Sequence, residues 1–171
     1  MSKTTRSTRT CTINQLRPAL SRGIREYFQA HNLGDPETEI TACCETMSDK
    51  KATGGLSDLL NPGPEKTTYT GLVLTARELV WAWMDAGGEA HVIGADLIYI
   101  NAQMTVSLFS KEVGLQVAGL IGGAKGNVRG VIGLGPEPDA QQFCDAVSAA
   151  ILIANPQVKR KWPAWMGGSK E

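Results

Sequence analysis

The spacing of apolar positions changes once along this chain, near residue 38, and that change organises the reading. Before it, in TINQLRPALSRGIREYFQAHNLG, Ile13, Leu16, Leu20, Ile24, Tyr27 and Phe28 recur at three- and four-residue steps. That spacing puts them on one face of a helix over residues 12–34. Thr12 with Gln15 resembles a capping box, and Gly34 followed by Pro36 is a stop signal. Pro18 predicts a helix that is either kinked there or begins there.

After residue 38 the rhythm becomes two-residue. EITACCETM, YTGLVLT, ELVWAWM, a short piece around AHVIG, MTVSLFS, GLQVAGLIG and VRGVIGLG each read as a strand rich in β-branched or aromatic residues and bounded by turn formers. The glycine-rich turns between them predict sequential antiparallel hairpins. Adjacent Cys43 and Cys44 fall on opposite faces of the first of these strands. The connection from Ser48 to Lys66 is longer than a hairpin needs and is either a mobile functional loop or an insertion. Glu137-Pro138-Asp139 then opens a final helix, with Phe143, Val147, Ala150, Ile151 and Ala154 as its apolar stripe and Asn155-Pro156 as its stop.

The fold class expected is therefore mainly β (α+β): seven antiparallel strands capped by a C-terminal helix, with an extra N-terminal helix. The organisation expected is a disordered basic arm over 1–11, the helix over 12–34, the β domain over 38–156 and a basic, tryptophan-containing tail over 157–171. The arm, MSKTTRSTRTC, earns its assignment by having nothing apolar to bury.

The hairpin carried by YTGLVLTARELVWAW is similar to the "Gly, apolar, apolar, Thr, then a second apolar strand" unit of bacterial pleckstrin-homology (PH) and GRAM-type domains. GADLIYIN resembles the segment before their fifth strand, and GVIGLGPEPDAQQFCDAV resembles their last strand running into the capping helix. The resemblance implies a PH-like barrel or sandwich with one open corner plugged by Phe143, Val147 and Ile151. It also implies a binding or adaptor module, with lipid headgroups, peptides or proteins as ligands.

Composition adds limits. The 171 residues fit one domain with its own core, and 42% hydrophobic with 20% charged residues is the balance of a globular chain. No apolar run reaches signal-peptide or transmembrane length, so a cytoplasmic location is expected. The four cysteines form no CxxC pair, so neither a disulfide framework nor a metal site is expected, and no cofactor. Net charge is zero, but both ends are basic and the middle is acidic.

Candidate contact residues follow from that distribution. In the PH-like frame Lys50, Lys51 and Lys66 flank the first loop, where lipid-binding relatives hold phosphates. The next strand, Tyr69 to Thr75, holds no Lys or Arg, which favours a protein or peptide partner over a specific lipid. Lys159, Arg160 and Lys161 beside Trp162 and Trp165 suit weak contact with an anionic membrane, at about 1 kcal/mol per cation. No specific nucleic-acid binding is expected. A homo-oligomer is the further alternative, because the apolar face of the first helix and the tail tryptophans need a place to bury.

Catalysis is not expected. His31 and His91 belong to no ligand cluster, and GLIGGAKGN lacks GxxxxGK[ST] and precedes a strand, so it reads as a hairpin turn. The remaining enzymatic alternative is a thiol of Cys43, Cys44 or Cys144 activated by His91. Trp81 and Trp83, two apart on one strand, share a face and are expected in the core.

Overall fold

The computed structural model describes residues 3–51, 66–85, 88–106, 113–121 and 128–156. Eight strands form two antiparallel sheets. Strands β1 (Lys3–Thr10), β2 (Ile40–Lys51), β3 (Lys66–Thr75), β4 (Glu78–Asp85) and β5 (His91–Asp96) make a five-stranded meander; β6 (Ile100–Val106), β7 (Val113–Gly119) and β8 (Val128–Leu134) make a three-stranded one. Helices α1 (Pro18–His31), α2 (Pro36–Glu39) and α3 (Pro138–Ala154) complete the order, with 3-10 turns at Ile13–Gln15 and Leu97–Tyr99.

The strand count expected was seven, and the eighth is the arm. Residues 3–10 are not a disordered basic arm but a strand paired with β2 from Lys3↔Lys51 to Thr10↔Cys44. Threonine at four of its eight positions suits extended backbone. Its inner face buries Thr8, whose hydroxyl lies 2.8 Å from that of Thr46 and accepts the Gly135 amide at 2.7 Å. On its outer edge the Thr8 amide donates to Glu137 Oε2 at 2.8 Å and the Thr10 amide to Asp139 Oδ2 at 2.6 Å.

Those two bonds also explain why the sheets do not close into a barrel. The outward amides of Thr8 and Thr10 are taken by carboxylates at the start of α3, and among the described residues no ladder joins β1 to β8. At the other end, the Leu97–Tyr99 turn separates β5 from β6.

The five-stranded sheet is apolar on both faces, which is unusual for antiparallel strands. Cys44, Leu72, Leu74, Leu79 and Ala95 face the second sheet and α3, meeting Ile100, Leu115, Val117, Leu134, Phe143, Val147 and Ile151. Cys43, Val73, Val80, Ala82 and Met84 face the other way, onto Ile13, Leu16, Leu20, Ile24 and Phe28. The alternation that divides Cys43 from Cys44 thus serves two cores, and the molecule has three layers: α1, the large sheet, then the small sheet with α3.

Helix α1 begins at Pro18, in the first-turn position proline tolerates, and ends with Asn32 in the left-handed region (φ 54°). The capping-box pair Thr12 and Gln15 closes the separate 3-10 turn instead, the Thr12 amide donating to Gln15 Oε1 at 2.9 Å. Buried Glu45 joins turn, strand and helix. It accepts the Arg17 amide at 2.9 Å and Arg9 Nη2 at 2.7 Å, and Arg9 Nη2 also donates to the Gln15 carbonyl at 2.7 Å. Arg17 in turn lies 3.4 Å over the Tyr69 ring. Because the apolar face of α1 packs on its own sheet, that face needs no second subunit.

Candidate functional site

The lysines singled out from the sequence meet at one end of the large sheet. Register places Lys50 opposite Lys66 and Lys51 opposite Lys3, a residue the sequence reading had assigned to the arm. Beside Lys50 on the same strand, Asp49 accepts the Thr67 hydroxyl at 2.7 Å. Lys50 is exposed. Lys159, Arg160, Lys161, Trp162 and Trp165 lie outside the described residues, as does most of the Ser48–Lys66 connection.

A second surface lies where β5 passes to β6. Asp96 Oδ1 accepts the Ile98 amide at 3.1 Å and so holds the turn in which Leu97 plugs the core while Ile98 and Tyr99 stand outside. Leu120 donates its amide to the Tyr99 carbonyl at 3.2 Å. Asn155, just past α3, donates from Nδ2 to the Ile98 carbonyl at 2.8 Å. The backbone at Gly119 (φ 144°) lies so close that any Cβ there would strike the Tyr99 carbonyl. This tight hydrogen-bonded frame carries exposed apolar groups: Ile98, Leu120, Tyr99 at 57% and, near the end of α3, Ile153 at 82% exposure. Sequence reasoning missed them because LIYI and ILIA are short apolar runs in which exposed and buried residues look alike; the one signal was Ile153, outside the helix stripe.

The cysteine–histidine pairings do not form. His91 sits on β5 opposite Trp83, its ring 5.6 Å from the indole, while Cys43 and Cys44 are on β2 with two strands between. Burial raises the thiol pKa of Cys44, and pushes that of Cys144 up to about 11. His31 Nδ1 donates to the Tyr27 carbonyl, 2.9 Å away, and the imidazole stacks on the Tyr27 ring at 3.9 Å. Trp81 packs, partly buried, against the core shared with α3, whereas Trp83, expected in the core, is 37% exposed. Strands β7 and β8 pair antiparallel, as a hairpin requires, although the GGAKGN turn itself lies outside the described residues.

Cys11, assigned with the arm, is instead opposite Cys43, with Sγ atoms 3.6 Å apart in the wall of a groove of about 400 Å³. Among the described residues no three His, Cys, Asp or Glu side chains are grouped to hold a metal ion, and no helix is long and apolar enough to cross a membrane. No protein-family model matches the chain, and no curated protein or solved structure matches it.

Proposed function

We propose that this chain is a non-enzymatic binding or adaptor module of PH-like type whose contact is with a protein or peptide. The observation that carries the reading is the exposed apolar group Ile98, Tyr99, Leu120 and Ile153 on a rigid, hydrogen-bonded frame. Apolar side chains gathered on a firm surface cost little to order on binding and gain by leaving water. Two antiparallel meanders followed by one capping helix support the PH-like assignment.

A second reading, weak contact with an anionic membrane, draws on the register that sets Lys50 opposite Lys66 and Lys51 opposite Lys3 at one end of the sheet, and on the basic tail. Self-association loses one of its supports, since α1 is already covered within the chain.

Titration with vesicles of anionic and of neutral phospholipid, at low and physiological salt, tests the reading. It expects no retention on either vesicle at physiological salt. Salt-sensitive binding to anionic vesicles that disappears in the Lys159→Ala, Arg160→Ala, Lys161→Ala variant would replace it with the membrane reading.

A further inference from the structure

The Cys11 and Cys43 thiols face each other across β1 and β2, one residue beyond the last ladder pair. The Cys11 amide donates to the Cys43 carbonyl at 3.1 Å, which makes the two a directly opposed, hydrogen-bonded pair. Such pairs hold their Cα atoms about 5.5 Å apart, within the span that a disulfide bridges. The sulfurs are already 3.6 Å apart, so side-chain rotation alone brings them to bonding distance. The other two thiols differ in both respects. Cys44 points to the opposite face and is wholly buried, and Cys144 sits in the core beneath α3.

Access and reactivity agree with the geometry. Cys11 and Cys43 keep 8% and 5% of their surface exposed, in the wall of a groove that also includes Thr12, Ile13, Pro36 and Ile40. Hydrogen bonding from the Cys43 thiol lowers the pKa of Cys11, and the nearby Arg9 guanidinium lowers it further, against burial and the Glu45 carboxylate. Cys43, the donor in that bond, is shifted upward and keeps its proton. One thiol is thus prepared to attack and its neighbour to follow.

We infer that Cys11 and Cys43 form a reversible dithiol–disulfide site that takes hydroperoxides as its oxidant, Cys11 reacting first and Cys43 resolving. The Cys11 thiolate attacks one peroxide oxygen and the O–O bond breaks. The distal oxygen leaves as an alcohol, or as water from hydrogen peroxide, after taking up a proton, and Cys11 becomes a sulfenic acid. Cys43 sulfur then attacks that sulfur. The S–O bond breaks, and the departing hydroxide takes the Cys43 proton and leaves as water. The sum is two thiols and one hydroperoxide giving one disulfide, one alcohol and one water, a two-electron oxidation reversed by a dithiol reductant.

Treating the native protein with one equivalent of hydrogen peroxide, alkylating it under denaturing conditions and mapping its peptides tests this. The expected product is 2 Da lighter before alkylation, has two of its four thiols blocked, and yields a linked peptide whose fragmentation assigns Cys11 to Cys43 and not to the adjacent Cys44. Dithiothreitol should restore four thiols. Cys43→Ser should stop at a sulfenic acid on residue 11 that dimedone traps, and Cys11→Ser should give neither product. Four thiols still free in the wild type, or a linkage through Cys44 or Cys144, overturns the inference, and that wild-type result decides the matter even if a variant fails to fold.

Discussion

The backbone amide of Thr8 donates to Glu137 Oε2 at 2.8 Å, joining the first strand to the start of the last helix across 129 residues of sequence. Gly135 reinforces the join from the other side, and a Cβ there would collide with both Glu137 and the Thr8 amide. The clamp occupies the Thr8–Thr10 end of the β1 edge, which protects that part of the edge from pairing with another chain.

Glu137→Ala should therefore cost about 1–3 kcal/mol, since a partly buried amide loses a charged acceptor. Urea midpoints measure the loss, and hydrogen exchange should show the Thr8 amide exchanging faster while the centre of β3 is unchanged. Asp139→Ala, which removes a more exposed bond, should cost less.

Glu45 holds the start of α1 through the Arg17 amide and holds β1 through Arg9. Glu45→Ala should cost about 1.5–3 kcal/mol. Glu45→Gln, which keeps a carbonyl acceptor for the Arg17 amide, should recover part of that cost in the same urea titration.

The two cores lie on opposite faces of one sheet, so changes in one should be blind to the other. Ile24→Val and Ile151→Val should each cost about 0.5–1.5 kcal/mol, and the double variant should cost their sum to within about 0.5 kcal/mol. A clear excess in the double variant would mean that the cores are coupled through the sheet.

Alkaline pH should weaken the fold. Burial raises the pKa of Cys44 and Cys144, hydrogen bonding with Cys11 followed by burial raises that of Cys43, and burial followed by Glu78 pushes Tyr27 up to about 12. The unfolded thiols ionise near pH 8.5 while these three stay protonated in the fold, so above that pH the unfolded state binds fewer protons and stability falls. Cys11, lowered, acts in the opposite sense. Each raised group adds at most about 1.4 kcal/mol per pH unit to the decline. Cys44→Ala should flatten the slope measured by urea denaturation from pH 8 to 10.

How far the sequence could be read depends on where each element finds its partners. Segments such as Glu78–Met84 declare themselves because every residue has a burial role, Leu79 and Trp81 toward one core and Val80 and Ala82 toward the other. The stripe from Ile13 to Phe28 likewise named the residues of the outer core, although the helix starts only at Pro18. Strand β1 has no such signature. Its order comes from backbone amides and threonine hydroxyls meeting Glu137, Asp139 and Thr46, partners that no local pattern reveals. With β1 unread, the Cys11–Cys43 contact and the place of Lys3 were unreadable too. The Ile98–Tyr99 surface stayed hidden for the reverse reason, since exposed and buried apolar residues look alike in a short run.

Site-specific photocrosslinking in cells tests the proposed contact most directly, with a photoreactive residue at Tyr99 and, as control, at exposed Gln142 on α3. The account predicts discrete adducts to another protein from position 99, none from position 142, and loss of the former on Ile153→Glu with the melting temperature unchanged. Equal labelling from both positions, no labelling from either, or crosslinks from position 99 only to residues 157–171 of the same chain would contradict it.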